Sequence, residues 1–167
     1  YDSPMGVMKL CADEESLLGV WFDEERIAEA SLDIEAIENL HDNKHISDAV
    51  CWLDEYFAGN VPSFTPKLKL QGSEFRKTVS EIMLKIPYGE LSTYGEIARE
   101  AMIRLGKERM SAQAVGGAVG SNEFSIIVPC HRVVGKDGKL TGYAGGRDKT
   151  VYLLHQEGVD FEKYNLR

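Results

Sequence analysis

The sequence predicts an α+β protein in two parts: a small α/β domain over residues 1–65, then a mostly helical domain over residues 66–167. Two short apolar runs near the N-terminus read as paired strands, while further along apolar residues recur at helical spacing in several separate segments. The third observation is a boundary. Pro62, Pro66 and the lysines around Leu68 mark an extended crossing, and the charge changes sign across it. Residues 1–62 hold 3 Lys and Arg against 15 Asp and Glu, whereas residues 63–167 hold 16 against 12.

Residues 7–11 and 17–22 are the two strands, with Asp13, Glu14 and Glu15 as an acidic turn between them. Ala49, Val50, Leu53, Tyr56 and Phe57 then place an amphipathic helix over residues 45–58, stopped by Gly59-Asn60. Past the crossing, Ser73 caps a helix whose apolar face holds Phe75, Val79, Ile82 and Met83, and Pro87-Tyr88-Gly89 ends it. Thr93-x-x-Glu96 is a capping box that opens a second helix through Met102. After a basic stretch over residues 104–109, Ser111 caps a third short helix over residues 112–119, ending at Gly120. The last two helices and their connection resemble a helix-turn-helix. Gly116 and Gly117 each weaken that final helix by about 1 kcal/mol relative to alanine, so a close approach of other atoms is expected there. Either a neighbouring helix or DNA could supply it.

Residues 125–128, Ser-Ile-Ile-Val, read as a short buried strand ended by Pro129, which has no N–H for the ladder. The strand delivers Cys130 beside His131. A thiol with a neighbouring base is the arrangement of an activated sulfur nucleophile, although a buried structural cysteine has the same local pattern. Three cysteines, Cys11, Cys51 and Cys130, with no CxxC spacing, point to a reducing cytoplasm and a free thiol rather than to disulfides or metal. No run of about 18 apolar residues or signal-peptide pattern marks a membrane or export segment. The net charge of −8 argues against nucleic acid, but the local balance beyond residue 62 does not.

Three stretches in this order closely resemble the O6-alkylguanine-DNA alkyltransferases: residues 111–122 (SAQAVGGAVGSN), 129–135 (PCHRVVG) and 140–146 (LTGYAGG). The resemblance spans about residues 75–158. It implies an RNase H-like N-terminal domain and a C-terminal domain with a winged helix-turn-helix-like motif. It implies direct-reversal repair: irreversible, single-turnover transfer of the alkyl group from O6-alkylguanine in double-stranded DNA, with the base flipped out, to Cys130. Whether O4-alkylthymine is also a substrate stays open. By the same resemblance His131 acts on the thiol through a bound water, Glu157 orients His131, and Asn122 fixes the turn carrying the cysteine. Tyr94, the carbonyls of Cys130 and Val133, Tyr143, Ala144 and Gly145 would hold the flipped base. The small-residue helix, with Ser111, Ala112, Gln113, Ala114, Gly116 and Gly117, would enter the minor groove. Arg132 is expected in a structural ion pair. No cofactor, metal or membrane is implied, and the protein is expected to act as a monomer.

The chain departs from the family pattern at three positions. Gln113 stands where many members have an intercalating arginine, Thr150 where a lysine often lines the pocket, and Ser125 where some members have a proline. Two other chemistries remain to be weighed. A lesion-binding relative would lack the cysteine, and a cysteine hydrolase would need an oxyanion hole and no Gly-rich helix.

Overall fold

In a computed structural model of the chain, residues 1–22, 42–140 and 146–167 are described here. They form an α+β protein that divides into two compact units, residues 1–70 with 123–125, and residues 71–122 with 126–167.

The first unit opens with a small antiparallel hairpin, β1 (Asp2–Ser3) and β2 (Gly6–Val7). A longer antiparallel pair follows, β3 (Lys9–Ala12) with β4 (Leu17–Trp21), in the register Lys9 to Trp21 and Leu10 to Val20. The turn between them is set by Asp13, whose Oδ1 accepts from the backbone N–H of Glu15 and Ser16. All five residues of β4 are buried, as an unbroken apolar run requires when both faces are covered. Helix α1 (Lys44–Phe57) packs on this pair through Ala49, Trp52, Leu53 and Tyr56. Asn43 caps it, accepting from His45 and Ile46 N–H while its own amide donates to Asp13 O at 2.7 Å.

The second unit holds α2 (Glu74–Met83), α3 (Tyr94–Arg104) and α4 (Ala112–Gly120), packed on one another. Ser73, Thr93 and Ser111 are the N-caps, and Thr93 with Glu96 completes a capping box. A two-residue strand, β5 (Ser92–Thr93), runs parallel to β6 (Val133–Val134). Helix α5 (Arg147–Gln156) closes the unit, with Leu154, Val134, Leu140 and Val159 in one apolar cluster.

One expectation fails. Residues 125–128 are buried, but they form turns rather than a strand. Phe124 makes a single parallel bridge to Val20, and the chain then leaves the β4 edge, with Ile126 at φ +71°. A short, mostly apolar run such as Ser-Ile-Ile-Val reports burial only, and it cannot distinguish a strand from a buried turn. Among the described residues no helix is long and apolar enough to cross a membrane.

Candidate active site

Cys130, His131 and Arg132 occupy a single 3-10 turn that begins after Pro129 and runs into β6. All three are buried: Cys130 is 2% exposed, His131 0% and Arg132 8%. The tight turn sends successive side chains in different directions, so adjacent residues serve separate contacts.

Asn122, just past the end of α4, holds the thiol side. Its Nδ2 donates to Val128 O at 2.9 Å and lies 3.1 Å from Cys130 Sγ. One buried amide thus ties the entry of the segment, its exit and the sulfur together.

Glu157, the C-terminal cap of α5, holds the other side. Its Oε1 lies 2.6 Å from His131 Nε2 and accepts from Arg132 Nη2 at 3.0 Å. Oε2 accepts from Arg132 Nε at 2.9 Å and from the Gly89 backbone N–H at 3.0 Å. Arg132 Nη1 donates to Ile86 O at 2.7 Å, and its guanidinium carbon stands 5.7 Å from the Tyr88 ring centre. Four donors therefore converge on one buried carboxylate. Gly89 is needed there: its φ is +77°, and an added Cβ would fall 2.9 Å from Glu157 O.

Burial acts to raise the Glu157 pKa, but the hydrogen bonds and charges of His131 and Arg132 outweigh it and hold the carboxyl down at about 2. Glu157 is ionised, and Arg132 neutralises it. Burial lowers the pKa of His131, which is therefore neutral. A carboxylate can only accept, so His131 donates from Nε2, and Nδ1 is left as the basic nitrogen.

These shifts give stability a direction with pH. Unfolding returns His131 to its ordinary value near 6.5, so below that pH the unfolded chain binds the extra proton and stability falls. Glu157 adds to the loss: its contribution is whole above its unfolded value of 4.5 and disappears as pH falls toward the folded value of about 2. Urea unfolding at pH 7.5, 5.5 and 4.0 should show a progressive drop, and a flat profile would contradict the coupling.

The β5–β6 pairing sets Ser92 opposite Val133 and Thr93 opposite Val134, so half-buried Tyr94 opens α3 next to the strand that follows the cysteine turn. Ser111, Ala112, Gln113, Ala114 and Gly117 lie on the exposed side of α4, with Gly116 half-buried. Within the described residues, a Cβ added at Gly116 or Gly117 would meet no heavy atom within 4 Å outside its own helix. Among the described residues, then, no neighbouring helix fills the space beside these glycines. Tyr143, Ala144 and Gly145 lie outside the described residues. No group of three or more metal-ligating side chains occurs among the described residues.

Sequence reasoning missed Ile86, Tyr88 and Gly89 as parts of the site. The Pro87-Tyr88-Gly89 signal was visible, but it reads as a helix stop, and only the fold brings it to Glu157.

Two family models match: 6-O-methylguanine DNA methyltransferase, DNA binding domain, over residues 74–159, and the ribonuclease-like domain of the same name over residues 1–70. A methylated-DNA–protein-cysteine methyltransferase of Methanosarcina acetivorans is 43% identical over 159 residues, covering 95% of this chain and 96% of that protein. The protein of the same name from Haemophilus influenzae is 37% identical over 163 residues, covering 96% and 86%. Among solved structures, Mycobacterium tuberculosis OGT in complex with DNA superposes with a TM-score of 0.73 at 36% identity, covering 94% of this chain and 89% of that one.

Proposed function

The chain belongs to the 6-O-methylguanine DNA methyltransferase family, and from that membership we propose that Cys130 takes the alkyl group from O6 of an alkylated guanine in double-stranded DNA. The activity is alkyl transfer from methylated DNA to a protein cysteine, a direct-reversal repair, and DNA is the partner. One observation carries the residue assignment. A single helical turn joins a buried thiol, 3.1 Å from the Asn122 amide, to a buried histidine 2.6 Å from the Glu157 carboxylate.

In this reading His131 takes the thiol proton at Nδ1 through a bridging water, and Glu157 stabilises the imidazolium that forms. The thiolate attacks the alkyl carbon. An S–C bond forms, the C–O6 bond breaks, and guanine leaves with the electron pair and regains a proton. The product thioether has no route back to the thiol, so each molecule acts once. Because Cys130 is only 2% exposed, a stacked base cannot reach it, and the target nucleotide must flip out of the duplex. Tyr94 and the carbonyl of Val133 would hold that base, together with Tyr143, Ala144 and Gly145.

The finer fold belongs to the same reading. Residues 1–65 form an RNase H-like platform, and residues 66–167 carry the chemistry, with α3 and α4 as a winged helix-turn-helix. Helix α4 enters the minor groove, and its unfilled glycines allow the close approach. The protein works as a monomer, without cofactor or metal, in the cytoplasm. Gly117→Ala should raise stability by up to about 1 kcal/mol, because a helix gains an alanine and nothing is crowded. The same change should weaken lesion-DNA binding about tenfold, or 1.4 kcal/mol. Denaturation and anisotropy titrations check both, and undiminished affinity would remove α4 from the interface.

Intact-protein mass spectrometry after mixing with a duplex holding one O6-methylguanine tests the assignment. The expected result is one methyl per molecule, localised by peptide mapping to Cys130. A methyl on Cys51 or Cys11, or none at all, would overturn it.

A further inference from the structure

Residues 123–125 group with the first compact unit, although their chain neighbours Asn122 and Ile126 group with the second. Strand β4 grips them along one edge. Val20 N–H donates to Glu123 O at 2.8 Å, Ser125 N–H donates to Val20 O at 2.9 Å, and Phe124 bridges to Val20 in parallel. A side chain closes the grip: the Trp21 indole Nε1–H donates to Glu123 Oε2 at 2.6 Å. The indole is itself fixed. It is 1% exposed and lies over Gly19, where an added Cβ would fall 1.9 Å from a ring carbon.

The grip ends one residue from Asn122, whose amide lies 3.1 Å from Cys130 Sγ. On its other side stands Ile126, fully buried at φ +71°, a conformation that β-branched residues avoid. Such backbone persists only where its surroundings over-determine it. Here the constraints come from both flanks, the β4 grip on residues 123–125 and the Asn122 bond to Val128 O.

We infer that the Trp21–Glu123 hydrogen bond is a positioning device for alkyl transfer, fixing the backbone on which Asn122 and Ile126 depend and so aiming the Cys130 thiol. The inference rests on the assignment of Cys130 as the acceptor. Trp21 and Glu123 do not touch the reacting atoms; they act through the segment between Asn122 and Cys130. Their loss should therefore slow transfer within the bound complex and leave DNA affinity unchanged. A misplacement of about 1 Å can slow an oriented reaction on the order of a hundredfold. With the two backbone bonds to β4 intact, a loss of about tenfold is expected.

The test is single-turnover transfer from O6-methylguanine duplex DNA over a range of DNA concentrations, read by intact mass. Trp21→Phe and Glu123→Ala should lower the rate at saturating DNA about tenfold with the half-saturating concentration unchanged. Glu123→Gln keeps a carbonyl acceptor for the indole and should restore the rate. Asn43→Ala, which removes the α1 cap and lowers stability elsewhere in the same unit, should keep the wild-type rate. A wild-type rate in Trp21→Phe, or equal slowing in Asn43→Ala, would overturn the inference alone. A wild-type protein that takes no methyl at Cys130 would overturn it together with the acceptor assignment.

Discussion

Cys130→Ala and Cys130→Ser should both lose methyl transfer entirely while keeping lesion-DNA binding. Deleting a covalent nucleophile removes a reaction channel rather than weakening one, and losses on the order of 10⁶-fold are the scale for such changes. Serine is the sharper variant. It keeps a polar atom for the Asn122 amide, which lies 3.1 Å from the sulfur, so the surrounding bonds should hold. A hydroxyl, however, is far harder to ionise than a thiol and is a poor nucleophile toward an alkyl carbon. The other cysteines cannot substitute. Burial, helped by Asp13, pushes the Cys11 thiol up to about 11, and Cys51 is exposed on α1 in the first unit, whereas the Cys130 turn belongs to the second. The variants are checked by intact mass after incubation with the lesion duplex and by a binding titration. Residual transfer in Cys130→Ser would place the acceptor elsewhere.

What the sequence revealed follows the range of the interactions involved. The caps at Ser73, Thr93 and Ser111 depend on residues within one turn, so local pattern was enough to place three helix starts. The proximity of Cys130 and His131 is covalent and equally plain. Glu157 had no such signal. A carboxylate at a helix end reads as a solvated residue, and only the family resemblance singled it out before the fold showed four donors around it. Trp21 and Glu123 are 102 residues apart, and no periodicity links them. Residues 125–128 failed for a different reason. Their apolar character reports burial correctly, but the positive φ of Ile126 contradicts its β-branched preference, and sequence reading follows preference. Departures of that kind are expected where structure serves a site rather than local stability.

Glu157→Ala should be the most destabilising single change in the second unit. Removing the carboxylate leaves the Arg132 guanidinium, the His131 Nε2–H and the Gly89 N–H without their acceptor in a buried place. Breaking one partner of a buried pair costs about 3–5 kcal/mol, a large share of a domain's stability. Glu157→Gln separates chemistry from folding. Glutamine fits the space but offers one oxygen where the carboxylate offers two, so its amide NH₂ must face two of the four donors. It also leaves Arg132 without a counter-charge. With no carboxylate to hold the proton on Nε2, the His131 tautomer is no longer fixed and Nδ1 ceases to be reliably basic. Transfer at neutral pH should fall by about 10²–10⁴-fold, the range for losing a general base or its orienting carboxylate. The sign of the pH effect follows. As pH rises, hydroxide can deprotonate the thiol without His131, so the variant should recover part of its rate while the wild type changes little. Rate measurements across pH 6.5–9 on folded Glu157→Gln, with denaturation curves for both variants, check the argument. A folded Glu157→Gln protein that transfers at the wild-type rate would reduce Glu157 to a structural ion pair and leave the thiol to be activated by Asn122 and its surroundings alone.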